Sequence, residues 1–250
     1  MKITNFFKIL LLGDSCTDVY QYGVVDRVSP EAPVPIFKYE YQETKQGMGS
    51  NVCKNLQALN CNVTFISGSQ TSTKTRLIDI RTNQQVLRID KDIISEPINL
   101  NDLTDLSYDA IVISDYGKGS ITYDIINKLR NEFSGPIFLD TKKHDLSKFN
   151  DIFVKVNELE YNKLKSYNNL LIVTLGNKGA MYKTTTESFF QTSRVEVSDM
   201  CGAGDTFLAA LAYQYLITNN IENAIGFANK AASITVQHIG NYAPTLSEIN

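Results

Sequence analysis

From Ala110 onward the chain alternates short apolar runs with helix-forming stretches, and this rhythm narrows the possible folds more than any other feature. The apolar runs read as strands at 110–114, 136–139, 152–155 and 170–174, with helices expected at 122–133 and 157–164. Strands near 179–183, 188–191 and 194–197 follow, then helices at 203–218 and 221–237. Upstream, Lys8–Leu12 and Val63–Ile66 read as strands of the same kind, with a helix from Gly49 to Leu59 between them. Apolar strands separated by helices belong to a mainly parallel sheet covered on both faces, an α/β fold. Two regions break the rhythm. Residues 19–41 alternate and are punctuated by Pro30, Pro33 and Pro35, and 75–90 reads as a hairpin turning at Arg81-Thr82-Asn83-Gln84. These strands, within about 17–43 and 73–91, are expected to form a small separate β lid on one domain spanning 1–250.

Composition limits the classes of function. The chain has 250 residues, 43% hydrophobic and 20% charged, which suits one large α/β domain. A net charge of -3 supplies no basic field for nucleic acid or anionic membranes. Cys16, Cys53, Cys61 and Cys201 are far apart and the histidines, His144 and His238, are distant from one another. No zinc site or disulfide framework is expected, and free thiols point to the cytoplasm. The apolar N-terminal run is broken by Lys8 and ends at Gly13-Asp14 without a small-residue cleavage site, so it reads as a buried first strand and not a signal peptide. No apolar stretch is long enough to span a membrane.

Five short patterns carry the chemistry. In the last, Asp199-Met200-Cys201-Gly202-Ala203-Gly204-Asp205, a small-residue turn runs into an apolar helix. Bare backbone N–H groups at a helix N-terminus favour an anion, and Asp205 sits beside them in the first turn. An anion hole next to a base suits phosphoryl transfer to a hydroxyl; a capped small-residue turn is the plainer alternative. Asn157-x-x-Glu160 opens a helix, and its local residues favour a capping box over a role near magnesium and phosphate. Thr174-x-Gly176-x-x-Gly179 is either a close approach to a ligand or a hairpin turn. Gly47-x-Gly49-x-Asn51 precedes a helix, where small residues admit a polyol or tighten helix–sheet packing. Asp14 and Asp18 follow the first strand, where carboxylates accept bonds from sugar hydroxyls or are solvated turn residues. Lys118 and Lys142, just past strands, face either phosphate or water. A G-x-x-x-x-G-K-[ST] loop, a G-x-G-x-x-G after the first strand and the protein-kinase set are all absent.

In their order along the chain, from Asp14 to Asp205, the five patterns resemble the ribokinase, or phosphofructokinase-B-like, family of sugar kinases over nearly the whole chain. Arg27–Pro35, Thr73–Asp90 and Ser114–Gly119 are similar to the bacterial D-glycero-β-D-manno-heptose-7-phosphate kinases, which feed lipopolysaccharide precursor synthesis. The resemblance implies a three-layer ribokinase-like fold with a β lid. It implies ATP-dependent phosphorylation of a sugar phosphate with magnesium, here the heptose 7-phosphate at its anomeric hydroxyl. Another sugar kinase, or a non-catalytic binding relative, is the alternative. By the same likeness Asp205 is the general base and the amides of Gly202, Ala203 and Gly204 are the anion hole. Asn157 and Glu160 place phosphate and magnesium, Glu160 through water. Thr174, Gly176, Gly179 and Asn229 lie along ATP, and Asp18, Gly47 and Asn51 hold the sugar. Asp199 matches a monovalent-cation position, K+ in some relatives. Lys118, Lys142, Lys74, Arg76 and Arg88 are candidates for the substrate's own phosphate. Two departures stand out: a helix and strand are missing near residue 70, and Met48 replaces a usual glycine. A homodimer through the lid strands is expected, since exposed strand edges pair.

Overall fold

The structure, a computed structural model, describes residues 6–101, 103, 105–167 and 170–250. The first five residues, part of the stretch weighed as a signal peptide, lie outside the described residues. The chain runs β1 (Lys8–Gly13), β2 (Ser15–Val28), β3 (Pro35–Met48), α1 (Gly49–Ala58), β4 (Asn62–Ser67), β5 (Ser72–Asp79) and β6 (Gln84–Lys91). It continues through β7 (Ala110–Asp115), α2 (Tyr123–Glu132), β8 (Ile137–Thr141), β9 (Asp145–Leu146), β10 (Phe153–Asn157), α3 (Glu158–Tyr161) and β11 (Ser166–Tyr167). The last part holds β12 (Leu171–Thr174), β13 (Ala180–Lys183), β14 (Glu187–Phe190), α4 (Ala203–Thr218), α5 (Ile221–Thr235) and α6 (Leu246–Ile249).

The main sheet has the order β14-β13-β12-β10-β8-β7-β1-β4. Its strands from β4 to β12 are parallel, and the β13–β14 hairpin adds two antiparallel strands at one edge. The apolar runs dictate this arrangement, because successive strand residues point to opposite faces. In β1, Ile9 and Leu11 enter one apolar cluster while Leu10 and Leu12 enter the other. In β7, Ala110 and Val112 divide from Ile111 and Ile113 in the same way. The first cluster is closed by α1, α4 and α5, the second by α2 and the apolar residues Ile98, Leu146, Phe149 and Ile152. The result is the ribokinase-like three-layer α/β fold.

β2, β3, β5 and β6 form a separate four-stranded sheet, order β3-β2-β5-β6. In the main sheet β4 ends at Ser67, and the chain re-enters at Ser72 in the second sheet, so β4 is left as the edge strand. Most expected elements lie within two or three residues of their positions, with three differences. The helix expected at 157–164 is a single turn, α3, and the strand expected at 194–197 does not form. Arg194–Val197 has the period of a strand, but among the described residues no neighbouring strand offers it a ladder. The β9–β11 pair is a two-residue ladder too short to leave a pattern in the sequence.

Candidate active site

The carboxyl ends of the parallel strands converge on one end of α4, where open α/β sheets bind ligands. Gly202 immediately precedes α4, and its left-handed φ of 78° turns the chain into the helix. A Cβ at this position would stand 2.7 Å from Asn51 Nδ2 and 3.0 Å from Asn241 Oδ1, so both backbone angle and space require glycine. No side chain caps α4. Its first N–H groups therefore present positive partial charge with no side-chain acceptor, although that of Ala203 also donates to Met200 O at 3.4 Å. Beneath them lies Lys155, a buried side chain that pairs with Asp140 at 2.7 Å. A Cβ on Gly204 would sit 2.9 Å from Lys155 Nζ, so the glycine lets the ammonium approach the helix terminus. Burial opposes the charge on Lys155, but Asp140 outweighs it and holds the ammonium protonated. An uncapped helix N-terminus backed by a buried cation is a site for anionic charge.

Asp205 stands in the first turn of α4 and is 5% exposed. Both of its oxygens are held: Asn51 Nδ2 donates to Oδ2 at 2.8 Å and Tyr116 Oη donates to Oδ1 at 2.7 Å. Burial pushes its carboxyl up to about 6; Asn51 and Tyr116 pull it down, Asp140 raises it and Lys155 lowers it. The balance is a carboxylate that is ionised at neutral pH yet close to the proton affinity a general base needs. Asn51 is itself fixed from behind. Its carbonyl accepts from Asn55 Nδ2, while Asn55 Oδ1 accepts from Thr206 Oγ1 and Thr206 Oγ1 accepts from Thr235 Oγ1. This buried polar chain ties α1, α4 and α5 together behind the base.

The other expected residues divide into several groups. Asp18 is buried on the inner face of β2 and paired with Arg76 at 2.5 Å, and a Cβ at Gly47 would collide with its Oδ2. Asp18, Gly47 and Arg76 thus form one polar corner of the second sheet. Asp14 corrects the expectation of a sugar ligand. It is 1% exposed, and its oxygens accept the backbone N–H groups of Tyr116, Lys118 and Ser120. Its work is to fold the turn after β7. Lys118 pairs with Asp92 at 2.7 Å, Lys142 pairs with Glu160, and Arg88 pairs with Asp90 at 2.8 Å. Lys74 and Lys142 lie 6.0 and 5.5 Å from the centroid of the Tyr116 ring, whose hydroxyl bonds Asp205.

Asn157 and Glu160 form a full capping box: Asn157 Oδ1 accepts from Glu160 N and Glu160 Oε2 accepts from Asn157 N, both at 2.8 Å. The local reading of this pair is therefore the one the geometry shows. Thr174 ends β12, Gly176 opens a turn facing open space, and a Cβ on Gly179 would collide with Phe190 O. Gly179 thereby serves the β13–β14 hairpin. Asn229 is buried and donates from Nδ2 to Phe190 O at 2.9 Å, which anchors α5 to the same hairpin. The carboxylate of Asp199 accepts from Cys201 N and Gly240 N, both at 2.9 Å. These two bonds fix the orientation of the Asp199 carboxylate, and the cation role rests on the resemblance. Among the described residues no group of three or more His, Cys, Asp or Glu side chains is arranged to hold a metal.

Two residues at the centre escaped the sequence reading. Lys155 interrupts the apolar β10 run, and a charge inside a buried strand requires a partner. That partner was legible in principle, since Asp140 lies directly beside it on β8. Tyr116 carried no comparable signal, because only the fold brings it to Asp205 across 89 positions of sequence.

Known proteins are similar to the chain in sequence and in fold. The profile described as pfkB family carbohydrate kinase matches residues 153–248, which include Asn157, Glu160, Asp199 and Asp205. The bifunctional protein HldE of a Nitratiruptor species is 32% identical over 298 residues, covering 97% of this chain and 64% of that protein. HldE of Sulfurimonas denitrificans is 31% identical over 312 residues, covering 100% of this chain and 65% of the relative. The chain thus spans just under two thirds of these relatives, and both alignments run longer than its own 250 residues, so the relatives carry internal segments that it lacks. Among solved structures, ribokinase of Thermotoga maritima superposes with a TM-score of 0.71 at 18% identity, covering 98% of each chain. Phosphofructokinase-2 of Escherichia coli, in complex with potassium, gives 0.73 at 13% identity, covering 98% of this chain and 97% of the other. Fold, motif order and relatives agree: residues 153–248 match the pfkB family of carbohydrate kinases, and the whole chain is similar to the HldE relatives and shares the ribokinase fold.

Proposed function

We propose that the chain is an ATP-dependent kinase that phosphorylates D-glycero-β-D-manno-heptose 7-phosphate at its anomeric hydroxyl, giving the 1,7-bisphosphate. One observation carries the kinase reading: the enclosed carboxylate of Asp205 beside the uncapped N-terminus of α4, with the Lys155 ammonium beneath. The substrate assignment draws on the HldE relatives and on Arg27–Pro35 and Thr73–Asp90.

In this mechanism Asp205 accepts the proton of the sugar hydroxyl as that oxygen bonds to the γ-phosphorus of ATP, the bond from that phosphorus to the β,γ-bridging oxygen breaks, and ADP leaves with the electron pair. The N–H groups of Gly202, Ala203 and Gly204 stabilise charge on the phosphoryl oxygens, and Lys155 adds a fixed positive charge behind them. This is positioning plus electrostatic stabilisation, which is most of what an in-line phosphoryl transfer needs. Asp18, Gly47 and Asn51 would receive the sugar, and Lys74 and Lys142 its existing phosphate. Thr174, Gly176, Gly179 and Asn229 would lie along the nucleotide. Magnesium binds mainly through substrate phosphates and water, with only one or two carboxylates. Glu160, whose oxygens are held by Asn157 N and Lys142, would take that modest part only through water, and the ion would neutralise charge on the phosphates.

The test is phosphorus NMR of the products formed from magnesium ATP and heptose 7-phosphate. The reading expects a new anomeric phosphate signal that grows with ADP. Turnover of fructose or another phosphosugar, with none on heptose 7-phosphate, would overturn the substrate while leaving the kinase.

A further inference from the structure

Tyr116 lies at the end of β7, on a turn that is pinned more heavily than packing alone requires. Asp14 accepts three of the turn's backbone N–H groups, at 2.8 to 3.3 Å. Asp115 holds the other side: Oδ1 accepts from Gly117 N at 2.9 Å, and Oδ2 accepts from Thr141 Oγ1 at 2.6 Å and pairs with Lys143 at 2.9 Å. Two carboxylates, a threonine and a lysine thus fix the backbone from which the Tyr116 hydroxyl reaches Asp205 Oδ1 at 2.7 Å.

We propose that Tyr116 is a positioning residue for the transfer step: its hydroxyl orients the Asp205 carboxylate and keeps it ionised at neutral pH. The inference rests on the proposed role of Asp205 as base. Tyr116 can only donate in this contact, because burial and the neighbouring Asp205 push its own pKa well above that of an ordinary tyrosine. A donor to a carboxylate favours the charged form. Without it, Asp205 would face the burial cost with Asn51 as its remaining hydrogen-bonding side chain. The charged and titratable groups around the pair are Asp140 from β8, Lys155 from β10, Cys16 from β2, and Lys74 and Lys142 beside the Tyr116 ring. None of these replaces a hydrogen bond to Oδ1.

The test reads Asp205 directly, by carbon NMR of the aspartate carboxyl carbons across pH, with its signal identified by its loss in Asp205→Asn. In Tyr116→Phe the midpoint is expected to rise by about one pH unit, the size of one lost hydrogen bond to a charged group. The acid limb of kcat/KM should move by the same amount, with the KM for ATP unchanged. Replacing Tyr116 with 3-fluorotyrosine, a stronger donor of nearly the same shape, should move the midpoint the other way. The fluorinated protein keeps the test valid even if Tyr116→Phe does not fold. A midpoint unmoved in the variant that folds overturns the inference. The titration needs no substrate, so a protein inactive on every sugar contradicts the kinase reading without deciding this one.

Discussion

At the residue scale, the site stands on a carboxylate that the fold makes costly. Asp205 is enclosed, and burial raises its pKa to about 6. A raised carboxyl favours the folded state only while protonated, so its contribution is full below the unfolded value of about 3.9 and is lost as pH rises through about 6. At pH 7.5 the ionised group therefore destabilises the protein. Asp205→Asn should raise stability there by about 1–3 kcal/mol, seen as a higher urea midpoint. An unchanged or lower midpoint would mean that the group carries no such penalty. The same sign governs catalysis: wild-type kcat/KM should fall as pH drops through about 6, as Asp205 takes a proton. Met48 is a second costly residue, with φ 55° and ψ -131° at the start of α1, a conformation that disfavours any side chain. Met48→Val adds β-branching at positive φ and removes buried volume, so both effects destabilise. Its expected cost is about 1–3 kcal/mol by chemical denaturation.

At the element scale, β8, β10 and α4 depend on one another through the buried Lys155–Asp140 pair. Lys155→Ala would leave Asp140 uncompensated, with an expected loss of about 3–5 kcal/mol in a urea titration. Lys155→Ala at wild-type stability would show that water or another cation serves Asp140 equally well. The elements were the part most legible in the sequence. Apolar strands buried on two faces, such as Ile9–Leu12 and Ala110–Ile113, leave no other partner arrangement than a covered parallel sheet. The α4 N-terminus was legible for a related reason, since Gly202-Ala203-Gly204 followed by an acidic residue and an apolar run states its own local geometry. What stayed hidden depends on long-range contacts. Tyr116 meets Asp205, and Asp14 meets the turn after β7, only once the strands have taken their order. Asp14 was misread because its carboxylate looks available at the end of β1 until the neighbouring strand supplies its amides.

At the scale of the whole molecule, a second four-stranded sheet stands apart from the main sheet, whose edge strand is β4. We propose that β2, β3, β5 and β6 act as a lid and as the contact between two copies. Tyr39, Tyr41, Leu87 and Ile89 on this sheet are about half exposed, an unusual run of large apolar side chains on one four-stranded sheet. Sedimentation should show a dimer at micromolar concentration, and Leu87→Asp should shift it to monomer; a wild-type monomer at high concentration would contradict the proposal. None of this alters the centre, where Asp205 meets the uncapped end of α4. The most direct test of that centre is ADP formation from magnesium ATP with a panel of sugars and sugar phosphates, in wild type and Asp205→Asn. The account predicts sugar-dependent turnover that falls by about 10²–10⁴-fold in the variant. Equal turnover in the two proteins, or none in the wild type despite tight ATP and sugar binding, would contradict it.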